Sequence, residues 1–127
     1  MKKKKAKKLT REYFLWWTEW LGLRYGEIKL FFVDYIEDHE GDATFIIPDV
    51  AGKCHTDWRY QETSIEISTK KICQLDEDSI ERVVVHELMH VLLNEMREEG
   101  IDHEERVATN LQKAFMWVRA GAKSGEQ

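Results

Sequence analysis

The sequence of 127 residues has one proline, two cysteines and no long uninterrupted apolar stretch. Crossing a bilayer takes about 18 or more consecutive apolar residues, so no membrane partner is expected. With 43% hydrophobic and 34% charged residues, the composition also excludes a collagen-like or disordered chain. A chain of this length is expected to fold as a single domain.

The two cysteines, Cys54 and Cys73, are far apart and form no CxxC pair. This spacing excludes a disulfide framework and a zinc ribbon, so both thiols are expected to be reduced. The lysine-rich start does not lead into the apolar segment of a signal peptide. Together these features predict a cytoplasmic protein.

The net charge of −5 is distributed unevenly along the chain. Residues 1–8 contain six lysines and no acid, which leaves 13 basic and 24 acidic residues, or −11, on the remainder. Binding to nucleic acid needs cations spread over a folded face, so no specific nucleic-acid partner is expected. We predict a disordered basic tail over 1–8, a domain over 9–120 and a frayed C-terminus over 121–127.

The hydrophobic pattern predicts an α+β domain: an N-terminal helix, a small, mainly antiparallel sheet of three to four strands, and two C-terminal helices. The first helix should bury Trp16, Trp17 and Trp20. Asp78 and Glu81 fit a capping box at the start of the second predicted helix. The predicted helices cover residues 9–21, 76–99 and 102–121, the predicted strands cover 27–35, 44–47, 53–60 and 64–69, and an acidic turn covers 37–42.

The chemistry-bearing motif is His86-Glu87-Leu88-Met89-His90, an HExxH pattern within an apolar helix. Residues four apart lie on one helix face, so both imidazoles can bind one Zn²⁺ ion. Glu87 lies about 100° further round the helix, where it can hydrogen-bond a water held on the metal. The motif predicts His86 and His90 as zinc ligands and Glu87 as the catalytic base.

A catalytic zinc ion needs a third protein ligand and an open fourth position. Leu93 and Met96 stand where the metzincin pattern requires glycine and histidine, which excludes that class. The next helix offers Glu104, Glu105 and His103. Glu104 lies at the centre of the apolar face of that helix and is the preferred ligand, whereas Glu105 is spaced to form a capping box with Asp102.

Three segments carry a resemblance to a known family: VVVHELMHVLLNEM, EERVATNLQKAF and the aromatic YFLWWTEWLGL. Over residues 10–118 the chain resembles the gluzincins, especially the minigluzincins and short phage-type HExxH metallopeptidases, and more distantly the ImmA/IrrE-like proteases. The resemblance implies a zincin-like fold with zinc bound by His86, His90 and Glu104 and with Glu87 as the catalytic carboxylate. It also implies that an extended peptide substrate binds along an edge strand of the sheet.

These roles predict a monomeric zinc endopeptidase, in which Glu87 takes a proton from the attacking water and returns it to the leaving amine. The donor to the oxyanion stays open among His39, His55, Tyr60 and a backbone N–H. Asp57 or Asp102 is a candidate to orient a metal-bound histidine. The alternative is a zinc-stabilised binding module without activity, although such a module has no need of Glu87.

Overall fold

The computed structural model describes residues 1–23, 27–57, 62–93 and 104–125. It confirms the α+β class, with an N-terminal helix, a small sheet and C-terminal helices. In chain order the elements are α1 (Lys3–Trp20), β1 (Glu27–Val33), β2 (Ile36–Glu40), β3 (Ala43–Ile47), β4 (Gly52–Asp57), β5 (Glu62–Ser68), α2 (Thr69–Ile72), α3 (Glu77–Leu93) and α4 (Glu104–Gly125).

The larger sheet has the strand order β1-β5-β4 and is mixed rather than mainly antiparallel. The predicted hairpin between β4 and β5 is present, with Cys54 opposite Ile65. However, β1 pairs with β5 in parallel, and Leu30 lies opposite Ile65. This pairing joins strands far apart in the chain, which the hydrophobic pattern of each strand cannot reveal. As a result, β4 lies at an edge of the sheet.

A separate antiparallel hairpin contains β2 and β3, and β2 covers much of the segment predicted as an acidic turn. Glu40 pairs with Ala43, so only two residues make the turn. Gly41 has φ +63°, a conformation that tight hairpin turns require and glycine adopts without strain. The turn is therefore shorter than the acidic composition indicated.

The core lies between the larger sheet and the helices. Alternate residues of β5, namely Thr63, Ile65 and Ile67, are buried because successive side chains of a strand point to opposite faces. On the helical side, α3 contributes the largest share of buried side chains. The buried hydrophobic residues of α3 are Ile80, Val84, Val85, Leu88 and Met89.

Helix α1 starts at Lys3 and therefore includes most of the segment predicted as a disordered tail. Ala6 is fully buried and lies one turn before Thr10, which explains why the basic segment is ordered as helix. Trp17 is buried as predicted, whereas Trp16 and Trp20 are exposed, contrary to the prediction. The apolar face of α1 is thus rotated from the face that the tryptophans indicated.

Helix α3 is capped by Asp76, not by the predicted pair of Asp78 and Glu81. Asp76 Oδ1 accepts a hydrogen bond of 2.8 Å from the backbone N–H of Ser79. Glu81 is instead buried, where it accepts a hydrogen bond of 2.8 Å from Trp17 Nε1 and pairs with Arg119 of α4. This cluster of Glu81, Arg119 and Trp17 joins three helices. None of the described helices is long and apolar enough to span a bilayer.

Candidate metal centre

The HExxH motif lies in the last three turns of α3, as the sequence predicts. His90 is buried with 4% of its surface exposed, and Glu87 is buried with 6% exposed. His86 is partly exposed, one turn before His90. The two imidazole rings are 5.0 Å apart between centroids, so the helix brings both histidines to one place.

The Nε2 atoms of both histidines converge with a carboxylate from the first turn of α4. His90 Nε2 lies 3.3 Å from His86 Nε2. The two oxygens of Glu105 lie 3.0 Å from His86 Nε2 and 2.8 Å from His90 Nε2. The centre therefore contains two imidazole nitrogens and one carboxylate, all offered by residues 86, 90 and 105.

This set of donor atoms fits a metal ion. Two ligands bound to one zinc ion at 2.0–2.1 Å with tetrahedral angles lie about 3.3–3.4 Å apart, close to the spacing of the two Nε2 atoms. One ligand atom from each of His86, His90 and Glu105 lies within 4.8 Å of the others. Imidazole nitrogens and carboxylate oxygens are ligands of zinc and other divalent transition metals, so the geometry accommodates a cation without selecting one metal.

The structure places the two glutamates differently from the sequence-based expectation. Glu104, the preferred third ligand, contacts the opposite nitrogen of His90, with its Oε2 3.1 Å from Nδ1. Glu105, the second choice, joins the Nε2 atoms. With Glu104 accepting a hydrogen bond from Nδ1–H, His90 keeps its Nε2 lone pair for a metal. Thr109 Oγ1 lies 3.5 Å from Nδ1 of His86.

Glu104 lies on the buried face of α4, as its helical position predicted. Ala108, four residues after Glu104, is fully buried against α3. The Glu104 side chain, 19% exposed, follows that face, whereas the Glu105 side chain is 78% exposed. The imidazole Nε2 atoms lie at the rim of the α3–α4 contact, so the flanking glutamate reaches them.

Glu87 lies against the start of β4. A Cβ atom on Gly52 would be 3.0 Å from Glu87 Cγ and 3.2 Å from Oε1, so only glycine leaves this side chain its present position. Burial raises the pKa of Glu87 to about 8, and the negative charge of Glu105 adds to the rise. A divalent cation at the histidines would oppose that rise.

A cleft of about 420 Å³ gives access to the centre. It lies between α3, the first turns of α4 and the segment that leads into β4. Its walls include His86, Glu87 and Glu105, together with Gly52 and Gln112. The cleft therefore joins the metal-ligand atoms, the buried carboxylate and the beginning of an edge strand.

Other residues proposed from the sequence lie elsewhere. His39 is exposed on the β2–β3 hairpin, with Nδ1 3.1 Å from Thr44 Oγ1. His55 is exposed on β4, and neither histidine lines the cleft. The other four candidates lie outside the residues or side chains that the structure describes. They are Asp57, Tyr60, Asp102 and His103.

Sequence reasoning missed Gly52, Thr109 and Gln112. Thr109 lies four residues after Glu105, and Gln112 seven residues after it, so helical spacing was an available signal for both. No comparable signal exists for Gly52, whose importance depends on contact between β4 and α3. No protein-family model, curated protein or solved structure matches this chain.

Proposed function

We propose that the protein is a zinc-dependent endopeptidase built on a minimal zincin-like domain of the gluzincin type. The observation that carries the proposal is the convergence of His86, His90 and Glu105 beside the buried carboxylate of Glu87. A structural metal site does not need that carboxylate. An enzyme that activates water requires one within reach of the metal.

Bound zinc would supply Lewis acidity, which polarises a peptide carbonyl and lowers the pKa of a water ligand. Glu87 then accepts the proton of the attacking water and delivers it to the amine nitrogen that leaves. Glu104 orients His90 through Nδ1, and Thr109 lies against the corresponding nitrogen of His86. Gly52 leaves Glu87 its present position in the cleft wall, because a Cβ atom there would displace the carboxylate.

The substrate class follows from the position of β4. Among the described strands, β4 pairs with β5, and Gly52 at the start of β4 adjoins the cleft. A strand that enters the cleft in this way favours a substrate in extended conformation, which can lie along it. We therefore infer that the substrate is a peptide or an unfolded protein segment.

The test is a paired measurement of bound metal and peptide hydrolysis in the wild type and in four variants, three at the glutamates and one at His86. Glu87→Gln should bind zinc like the wild type and lose about 10²- to 10⁴-fold in hydrolysis rate. Glu104→Gln should weaken zinc binding by about 10- to 100-fold, because it alters the group that orients a ligand. Glu105→Gln should weaken zinc binding more than Glu104→Gln, because it replaces a ligand.

Each outcome separates one part of the proposal from another. A larger loss of zinc in Glu104→Gln than in Glu105→Gln would make Glu104 the ligand, as the sequence predicted. Full zinc binding without hydrolysis of any peptide by the wild type would favour the non-catalytic binding module. Equal zinc content in the wild type and a His86→Ala variant would refute the metal centre itself.

A further inference from the structure

A second cavity of about 570 Å³ lies between α3 and α4, beside the metal cleft. The two cavities share Arg82 and Gln112 as lining residues, so they adjoin. From there the second cavity extends towards the start of α3 and the C-terminal half of α4, where it reaches Lys113 and Trp117. A ligand that extends from the metal cleft past Arg82 and Gln112 would reach this cavity.

The second cavity contains three cations. Arg82 and Lys113 are exposed and form no close ion pair with any residue that the structure describes, although the charge of Arg82 helps to lower the pKa of Asp76. Arg119 forms an ion pair with Glu81, and Asp78 is the second acid in the lining. Three cations and two acids give the lining a charge of +1, in contrast to the net charge of −5 on the whole chain.

Gln112 provides an independent observation. The residue is 7% exposed, and it is the uncharged polar side chain that the two cavities have in common. Its amide can both donate and accept a hydrogen bond, which suits a ligand with polar atoms. Because Gln112 lines both cavities, such a ligand would contact it on passing from one to the other.

We propose that the second cavity is a substrate subsite that binds a carboxylate, with Arg82 as the main cation and Gln112 as the neutral contact. The inference rests on the proposed peptidase function and names its substrate class. Arg82 lies one turn, about 5.4 Å, from His86, and an extended peptide advances about 3.3 Å per residue. The bound carboxylate therefore lies within about three residues of the cleaved bond.

A peptide offers such a carboxylate in two ways, as a Glu or Asp side chain or as its own C-terminus. Matched peptides distinguish the two sources: one pair differs by Glu or Gln near the cleaved bond, and the other by a free or amidated C-terminus. The cleaved bond is first located by digestion of a random peptide library. In one of the two pairs, we expect the peptide that carries the carboxylate to have a kcat/KM about 10-fold or more above that of its matched partner. The difference should arise mainly from a lower KM.

Arg82→Gln should remove most of that preference, and Gln112→Met should reduce it. Arg82 is exposed, so its replacement leaves the core unchanged. Arg106→Gln is the matched control, because it removes the same charge from an exposed position on α4 that lines neither cavity. Equal cleavage within both peptide pairs, unaffected by Arg82→Gln, would overturn the subsite and leave the peptidase proposal intact.

Binding to the Glu87→Gln variant separates the subsite from the reaction. This variant is titrated into four fluorescein-labelled Ala/Thr peptides, and binding is measured by fluorescence anisotropy. One pair of peptides carries Glu or Gln, and the other has a free or an amidated C-terminus. Tighter binding of a carboxylate form, lost in the Glu87→Gln/Arg82→Gln double variant, would support the subsite even if the wild type cleaves no peptide. The same affinity for all four peptides would overturn it.

Discussion

Helix α3 carries two polar clusters that face α4, and they differ in how their charges are compensated. At Glu81, the carboxylate has a cation, Arg119, and an N–H donor, Trp17 Nε1. At His86 and His90, two Nε2 atoms face each other and a carboxylate from Glu105. No lysine or arginine in the described part of the chain pairs with Glu105.

This difference separates a structural cluster from the proposed metal centre. The first cluster is closed, because the protein supplies the opposite charge, and it holds α1, α3 and α4 together. In the second, two Nε2 atoms and a carboxylate lie within 3.3 Å of one another, and no lysine or arginine of the described residues pairs with them. A metal ion bound by these three groups would add stability to the folded state.

The largest expected effect comes from opening the closed cluster. Glu81→Ala leaves the mostly buried guanidinium of Arg119 without its partner, and it should lower the free energy of unfolding by about 3–5 kcal/mol. Urea denaturation of the metal-free protein measures the change. The control is Glu12→Ala in the exposed Lys8–Glu12 pair, where a change of at most about 0.5 kcal/mol is expected. Similar losses in both variants would contradict a structural role for Glu81.

The second prediction concerns the open cluster. Zinc at 100 times its dissociation constant should stabilise the wild type by about 2.7 kcal/mol, because it binds the folded state. His86→Gln should lose this stabilisation while its metal-free form unfolds like the metal-free wild type. Thermal unfolding with zinc and with chelator provides the measurement. Strong destabilisation of metal-free His86→Gln would place His86 among the structural residues.

The third prediction tests the contact between β4 and Glu87. Gly52→Ala would place a Cβ atom 3.0 Å from Glu87 Cγ, so the carboxylate must move. We expect hydrolysis to fall roughly 10- to 100-fold with unchanged zinc binding, because small displacements of a catalytic group are costly. Gly121→Ala is the control, since its Cβ would have no neighbour within 4 Å. Unchanged hydrolysis by Gly52→Ala would exclude Glu87 as the base in its present position.

The smallest effect is expected at Asp76, which caps α3, the helix that carries both clusters. Hydrogen bonds from the Ser79 side chain and backbone lower the pKa of Asp76 below its ordinary value of 3.8. The carboxylate therefore stabilises the fold above that value, and the stabilisation is lost as the pH falls through the lower folded-state pKa. Asp76→Asn should be less stable than the wild type at pH 7, and the difference should shrink below about pH 4. Denaturation at several pH values, with Asp49→Asn as the control, measures this.

The parts of the fold and the site that depend on neighbouring residues could be predicted from the sequence. The spacing of His86 and His90 and the hairpin of β4 and β5 are examples, because helical and strand periodicity determine which side chains share a face. The parallel pairing of β1 with β5 could not be predicted, since it joins residues more than 30 positions apart. The helical state of residues 3–8 also depends on distant contacts, because buried Ala6 needs the core.

The sequence alone determined the types of donor atoms in this protein and the pairing of two histidines on one turn of helix. These follow from side-chain chemistry and from the 3.6-residue period of the helix, neither of which requires the rest of the chain. Only the tertiary structure decided that Glu105 reaches the histidines, that Gly52 lies against Glu87, and that the metal cleft opens towards Arg82. Those relations depend on how α4 and β4 are placed against α3, and packing between distant segments sets that placement.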